Sequence, residues 1–416
     1  MATRQSPSGS QFTIGVCGAG RFASSFIPLF KAHPLVGEVR LAEAFPERRA
    51  EQAARFGIEK TYASLDELCD SDVDAIALFT QRWLHGPQAV QALEAGKHVY
   101  SAVPAAITLE EVTNLVQAVE RTGLVYMNGE TSYYYPSVIY CRERFAKGDF
   151  GRFVYGEGCY THDMEHGFYA AYQHSGGDEW KKTASFPPML YPTHSTSMII
   201  SVTGERFTHV SCFGQVDEEH DGVFEKEVSL WQNEFSNEVA LFRTADGGMA
   251  RMMELRRIGL PQGNSNRMCL YGTKASFEEQ WYAKYWVDKD DQSKRIDLLE
   301  ALTCRPNRAV SDEELREIPE ALRDDFFAGV SSVHPVQRLP REFRGLRNGH
   351  QGSHQFLACD FVEAVANRTV PPNNVWQAAR YCLPGIVAHE SAKRGGELME
   401  IPDFGDPPRS GYPAPR

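Results

Sequence analysis

The run Gly18-Ala19-Gly20-Arg21-Phe22-Ala23 constrains the fold more than any other part of the chain. It is a GxGxxA pattern set between a buried apolar stretch, residues 12–17 (FTIGVC), and a helical pattern over residues 21–32. Strand, glycine turn and helix in that order open a doubly wound parallel sheet. Gly18 permits the tight turn, Gly20 allows close approach to the backbone, and Ala23 lets helix and strand pack. The helix N-terminus, with Arg21 and Phe22 at its start, offers free N–H groups and a positive dipole end to a diphosphate. Such a site also needs an acid at the end of the second strand, roughly 20 residues on, and Glu43 stands there. Its carboxylate accepts hydrogen bonds from the adenosine ribose and repels a 2′-phosphate, so NAD is favoured over NADP. Arg48 and Arg49 read as exposed helix charges.

The alternation continues along the first third of the chain. Residues 39–44 and 74–80 read as strands, 46–56 as a helix, and 88–95 as a helix stopped by Gly96. A strand over 98–101 is followed by a helix over 108–121, opened by Thr108 and Glu111 at capping-box spacing. The fold class is therefore α/β, with a Rossmann domain over residues 12–130. After Val125 the texture changes. Residues 153–160, 238–243, 249–255 and 267–271 alternate like longer strands, and Asp246-Gly247-Gly248 is a hairpin signal. Residues 131–405 are expected to form a C-terminal α/β domain around a large, mainly antiparallel open sheet. Helices are expected over 356–366 and 375–392, residues 279–346 fit no pattern, and 1–11 and 406–416 read as tails.

Composition narrows the functions. At 416 residues two domains are natural, and 42% hydrophobic with 24% charged residues are globular values. The net charge of −12 disfavours nucleic acid and anionic membrane surfaces as partners. Apolar runs stay well short of the roughly 20 residues that span a bilayer. Nine cysteines, scattered singly with neither CxxC nor zinc spacing, suit reduced thiols and a cytoplasmic address. His162 and His166, and His350 and His354, are each four apart, but Gly167 and Gly352 interrupt the helices that would pair them, so no metal site is expected.

Further along, Thr80-Gln81-Arg82-Trp83-Leu84-His85 and Ala92-Leu93-Glu94-Ala95-Gly96-Lys97-His98-Val99 carry a resemblance that runs on to Pro402-Asp403-Phe404. The chain resembles the Gfo/Idh/MocA family of sugar-directed, nicotinamide-dependent enzymes. That resemblance implies a second domain whose open sheet carries the substrate and a homo-oligomer interface (dimer or tetramer), and it places Thr80, His85 and Pro104 at the cofactor. The family's Glu-Lys-Pro is here Ala102-Val103-Pro104, so its catalytic lysine is gone. Its Asp-x-Gly-x-His is here Leu190-Tyr191-Pro192-Thr193-His194, which keeps only the histidine. Together with Gly158-Cys159-Tyr160-Thr161-His162-Asp163, this run is similar to the NAD-dependent α-N-acetylgalactosaminidase branch; Ser195-Thr196 after the histidine departs from its pattern.

In that branch NAD is recycled: a ring hydroxyl, at C3, is oxidised, the C2 proton becomes acidic, the C1 substituent leaves, and the hydride returns. The resemblance makes Tyr160, His162, Tyr191 and His194 the catalytic candidates, with His194 at the C3 hydroxyl. Tyr160 or His162 would take the C2 proton or assist the leaving group, and Asp163 would orient His162. Glu130 follows the last Rossmann strand, where a sheet edge faces the cofactor. Tyr133 is a candidate for stacking on the sugar, and Trp180 and Lys182 for reaching it from the second domain; Lys181 or Lys182 would stand in for the missing lysine. One of Arg251, Arg256 and Arg257 would read a substrate carboxylate or phosphate. Three readings stay open: an enzyme with recycled NAD whose net outcome is cleavage, elimination or epimerisation; a sugar or polyol dehydrogenase that releases NADH; and a non-catalytic NAD sensor or scaffold.

Overall fold

The structure, a computed structural model, describes residues 11–408 except 262–264, 292, 294, 319–322 and 324–325; most of the two expected tails lies outside the described residues. Six short strands, β1 (Phe12–Cys17), β2 (Val36–Ala42), β3 (Thr61–Tyr62), β4 (Ala75–Leu78), β5 (His98–Ser101) and β6 (Tyr126–Asn128), pair in parallel in the order β3-β2-β1-β4-β5-β6. Ile14, Val16, Ile76 and Leu78 have no exposed surface, because helices cover both faces of a parallel sheet. The helices are α1 (Ala23–Ala32), α2 (Pro46–Phe56), α3 (Leu65–Cys69), α4 (His85–Glu94) and α5 (Leu109–Thr122). The strand order reverses at β1 and β4, which leaves a crevice beyond their carboxyl ends.

Element ends differ from the sequence expectation by a few residues. α1 begins at Ala23 rather than Arg21, with Phe22 at the N-cap and no side chain capping it. β2 starts at Val36 and stops before Glu43, and α4 starts at His85 rather than Gln88. Thr108 accepts the Glu111 N–H at 3.1 Å, but Glu111 reaches the N–H of Ile107 at 2.9 Å, so only half the expected capping box forms.

The second sheet has nine strands in the order β14-β13-β12-β11-β7-β10-β9-β8-β15. They are β7 (Phe153–Thr161), β8 (Phe207–Val216), β9 (Phe235–Thr244), β10 (Met249–Leu255), β11 (Asn266–Gly272), β12 (Ala275–Gln280), β13 (Ala283–Asp288), β14 (Ile296–Asp297) and β15 (Met399–Glu400). β7 and β10 pair in parallel and every other neighbour is antiparallel. The expected hairpin joins β9 to β10, with Arg243 opposite Met249 and the Thr244 N–H bonded to the Gly248 carbonyl at 2.9 Å. The further α-helices among the described residues are α6 (Pro136–Ala146), α7 (Phe168–Gly176), α8 (Trp180–Ala184), α9 (Thr193–Thr203), α10 (Asp312–Glu317), α11 (Gly349–Asn367) and α12 (Val375–Lys393). The stretch that fitted no pattern supplies β13, β14 and α10, the last opened by a complete Ser311–Glu314 capping box.

The C-terminal helices return to the first sheet across the expected boundary at residue 130. Phe361 of α11 packs 6.4 Å from Phe30 and 5.6 Å from Tyr100 between ring centroids, and α12 lies against α5. Phe26, fully buried in this shared core, accounts for about 3–5 kcal/mol by the usual cost of truncating a buried Phe to Ala.

One glycine sets the distance between the second sheet and the helix above it. A Cβ on Gly158 of β7 would stand 2.1 Å from the Ser195 carbonyl oxygen, so only a bare backbone lets α9 lie directly on β7. That contact brings residues 160 and 194 together.

Candidate active site

A cavity of about 650 Å³ opens at the carboxyl end of β1. Its wall runs from Gly18–Phe22 and Glu43–Phe45, past Thr80–Arg82 and Ala102–Val103, to Tyr160, His162, Tyr191 and His194. The expected cofactor turn and all four catalytic candidates therefore share one space, within the size range of ligand clefts.

The cofactor end is built from backbone. Gly18 has φ +91° and its Cβ would meet the Phe79 carbonyl oxygen at 2.7 Å, so the turn needs glycine on two counts. A Cβ on Gly20 would meet nothing within 4 Å, which leaves open space over the α1 N-terminus. Glu43 is buried, and its carboxylate accepts the N–H of Ala19 at 2.8 Å and of Phe45 at 3.1 Å. It thus ties the end of β2 to the glycine turn, and its remaining lone pairs face the cavity wall it lines. Arg48 and Arg49 are not free surface charges. Arg48 packs over Phe45 at 4.8 Å and stands 3.8 Å from Glu43, while Arg49 donates to the Glu43 carbonyl at 2.7 Å. An open helix N-terminus, bare glycines and a buried carboxylate at the end of the second strand fit a dinucleotide, which Gly18, Gly20, Arg21, Phe22, Glu43 and Thr80 would hold. His85, on the same cavity wall, is held between the carbonyls of Pro104 (2.9 Å) and Thr80 (3.2 Å), and burial pushes its pKa down to about 4. It fixes the two loops, and Pro104 acts through it rather than lining the cavity.

The catalytic end is assembled from distant segments. His194 stands in the first turn of α9, 3% exposed, and its Nδ1 lies 2.7 Å from Oε1 of Glu130. Glu130, expected at the cofactor, instead sits fully buried behind this histidine, and the same oxygen accepts the Ser132 N–H at 2.8 Å. Burial alone would raise the Glu130 carboxyl, but the charge and hydrogen bond of His194 outweigh it and hold the carboxyl below its ordinary value. A carboxylate at Nδ1 keeps the proton on that nitrogen and leaves Nε2 for the cavity.

Tyr160, at the end of β7, lies 5.0 Å from the His194 ring, 5.9 Å from Tyr191 and 5.6 Å from His162. Burial pushes its hydroxyl well above the ordinary tyrosine value; Arg256, 4.8 Å over its ring, and Arg82 only partly offset this. Burial likewise raises Tyr191 to about 12. Both hydroxyls are protonated at neutral pH and are donors. His162, stacked on Phe168 at 4.2 Å, is lowered to about 4 by burial and then by Arg256, so it is neutral. Its Nδ1 meets the backbone carbonyl of Asp163 at 3.1 Å. The Asp163 carboxylate does not orient it, being spent on the N–H groups of Glu165 (2.9 Å) and Ile258 (2.7 Å).

The other substrate candidates stand apart from the cavity. The Arg142 guanidinium covers the Tyr133 ring at 3.9 Å, Trp180 packs against Tyr169 at 5.8 Å, and Lys182 is exposed and paired with Glu179. Lys181 bonds the Asp221 carbonyl at 2.6 Å, so neither lysine replaces the missing one. The place of that lysine is filled by Val103, buried and lining the cavity. Of the three arginines, Arg256 pairs with the buried Glu254 at 2.8 Å, Arg257 with Asp217 at 3.0 Å, and Arg251 with Glu157 at 2.8 Å.

His350 and Arg82 line the wall, although neither had a role at the site in the sequence reading. His350 reaches it through left-handed backbone at His350 (φ +47°), Gln351 (φ +52°) and Gly352 (φ +86°), a kink that only Gly352 announces. Arg82 reaches it beyond β4, inside the stretch that carried the family resemblance. No group of three histidine, cysteine or acidic side chains suited to a metal occurs among the described residues. Nor is any described helix long and apolar enough to cross a membrane.

Residues 12–130 match the Gfo/Idh/MocA family, described as oxidoreductases with an NAD-binding Rossmann fold. A glycosyl hydrolase family 109 protein of Streptomyces niveus is 25% identical over 95% of this chain and 78% of its own length. An alpha-N-acetylgalactosaminidase of Bacteroides fragilis is 24% identical over 81% of this chain and 76% of its own length. Among solved structures, levoglucosan dehydrogenase in complex with NADH superposes with a TM-score of 0.72 at 19% identity, covering 95% of this chain and all of that one. Scyllo-inositol dehydrogenase from Lactobacillus casei superposes at 0.66 with 14% identity, over 94% and 99% of the two chains. These likenesses establish the two-sheet fold. Residues 12–130, which carry the match to the Gfo/Idh/MocA oxidoreductase family, form the six-stranded parallel sheet of an NAD-binding Rossmann fold.

Proposed function

We propose that this protein is an NAD-dependent enzyme that oxidises a ring hydroxyl of a sugar or glycoside, at C3, and recycles its cofactor within each turnover to cleave, eliminate or epimerise. The observation that carries the reading is the Glu130–His194 pair, 2.7 Å apart and buried, on the wall of the cavity that holds the glycine turn. NAD, when bound, supplies a reversible hydride acceptor for the carbon bearing the hydroxyl. Nε2 of His194 takes the hydroxyl proton, and the Glu130 carboxylate stabilises the imidazolium that results. A carbonyl at C3 makes the C2 proton acidic. Neutral His162 is the acceptor on that side, and protonated Tyr160 and Tyr191 are the donors that meet a leaving group at C1. With Val103 in the lysine position, proton traffic runs through these four side chains.

The family 109 relatives support the sugar-directed reading, and one of them carries the name alpha-N-acetylgalactosaminidase. We also place the protein in the cytoplasm, as a homo-oligomer. All nine cysteines stand unpaired, eight of them buried, which suits a reducing compartment. The second sheet leaves Phe213, Val239, Leu241 and Met249 exposed on adjacent strands β8, β9 and β10, an apolar face that a second copy would cover. Sedimentation of the purified protein checks the assembly: a monomer at micromolar concentration contradicts it.

The reaction is tested by releasing and quantifying NAD from the purified protein, then incubating it in D2O with aryl glycosides and free sugars. Deuterium at C2 without net NADH is the expected result. Stoichiometric NADH without C2 exchange contradicts recycling and leaves a dehydrogenase; neither product with any sugar leaves a sensor or scaffold.

A further inference from the structure

The wall of the active cavity is unbalanced in charge. Among the described residues that line it, Glu43 alone carries a carboxylate, and it is tied to the glycine turn through the Ala19 N–H. Across the catalytic half stands Arg82, whose guanidinium packs on Tyr191 at 4.6 Å, Phe168 at 5.0 Å and Tyr172 at 5.3 Å, and bonds the Tyr172 hydroxyl. It meets no carboxylate within 4 Å among the described residues, whereas the neighbouring Arg256 is paired with Glu254 at 2.8 Å. Ring faces stabilise a guanidinium by their quadrupoles but do not cancel its charge. A cation held in a cleft without a counter-charge costs desolvation, and an arriving anion recovers that cost.

Position says which anion. Tyr191 stands between Arg82 and the His194 ring, 5.2 Å from the latter, so the guanidinium lies one ring away from the group that takes the hydroxyl proton. The contacts of Arg82 come from Phe168, Tyr172 and Tyr191, beyond β7, and not from the glycine turn, where a cofactor diphosphate would be held. A planar guanidinium fork pairs bidentately with a planar carboxylate, and a phosphate is the competing anion that the test below includes. Resting on the sugar reading above, we propose that Arg82 binds a carboxylate carried by the substrate, so that the enzyme's sugars are uronic acids or their glycosides rather than neutral hexoses.

The test reads binding apart from turnover. Protein saturated with NAD is titrated calorimetrically with glucuronate and galacturonate, with glucose and galactose, and with glucose 6-phosphate, for the wild type, Arg82→Gln and Arg82→Lys. The expected result is a uronate bound about tenfold or more tighter than its neutral hexose, the size of one charge-assisted contact. That ratio should fall to about one in Arg82→Gln and be partly kept in Arg82→Lys, which holds the charge without the fork. Equal affinities in the wild type, a ratio that survives in both variants, tighter binding of the phosphate, or no binding of any sugar each overturns the assignment. A separate NADH titration in which Arg82→Gln weakens the cofactor while the uronate ratio is kept also overturns it, by making Arg82 a cofactor residue. Selective uronate binding without C2 exchange or NADH would refute the proposed reaction and leave the substrate class standing.

Discussion

The two ends of the cavity are made in different ways. At the cofactor end, a strand, a turn and a helix N-terminus are contiguous from residue 12 to 32, and one carboxylate 24 positions beyond Ala19 locks them. At the catalytic end, Glu130 and His194 are 64 positions apart, and Tyr160 joins them only because Gly158 lets α9 settle on β7. The first depends on what the backbone can do locally. The second depends on how α9 packs on the second sheet, so a variant at one end should leave a signature that the other cannot.

The largest separation is expected from His194→Ala. Removing the base should lower turnover by about 10³-fold while NAD still binds, read by steady-state rates beside fluorescence titration of NADH. Loss of cofactor binding along with turnover would break the distinction between the two ends.

Acid should act next, and on both ends together, through histidines buried in the neutral form. His85 is lowered to about 4 at the cofactor loops and His162 to about 4 at the catalytic end, each mainly by burial. Above pH 6.5 both folded and unfolded chains are neutral at these positions and stability is complete. As pH falls from about 6.5 toward 4 the unfolded chain takes up protons that the folded chain refuses, so stability is lost across that window. His85 alone accounts for about 3 kcal/mol of it, and urea unfolding at pH 7.5, 6 and 5 measures the slope.

Glu130→Gln sharpens the catalytic half. It keeps the shape and a hydrogen bond but removes the charge facing Nδ1, so kcat should fall by about 10- to 100-fold, with its acidic limb displaced. An unshifted pH profile would make Glu130 a packing residue. Glu43→Ala probes the other half with the smallest effect. Loss of the carboxylate near the ribose, with Arg48 3.8 Å from it, should move the ratio of NAD to NADP affinity by about tenfold toward NADP. An unchanged ratio would mean that the ribose lies elsewhere.

The same contrast explains what could be read from the chain alone. The Rossmann sheet was legible because each of its cues is local: an apolar run, a glycine spacing, a helix stop. Tyr160, His162, Tyr191 and His194 were reached through short runs resembling a known branch, and they do converge on one cavity. Their partners were not legible. That Glu130 backs His194 instead of touching the cofactor follows from the packing of α9, and periodicity carries no trace of it. Trp180 and Lys182 were expected to reach the sugar from the second domain, but Trp180 packs half-buried against Tyr169 and Lys182 is exposed and paired to Glu179. Arg82 lay inside a stretch valued for its resemblance, where its lack of a counter-charge is visible only once its three ring neighbours are in place. The left-handed kink at His350 and Gln351 had little sequence signal beyond Gly352, since glutamine rarely adopts positive φ and histidine adopts it in only a minority of its positions.

The most direct test of the central claim, a single cavity in which His194 serves recycled NAD, is a paired measurement in D2O on wild type and His194→Ala with one accepted sugar. Deuterium at C2 is followed by NMR while absorbance at 340 nm reports NADH. The account predicts many exchange turnovers per enzyme in the wild type with no net rise in NADH, and both signals lost in His194→Ala although NAD stays bound. Exchange that persists in His194→Ala, or NADH that accumulates one for one with product in the wild type, would contradict it.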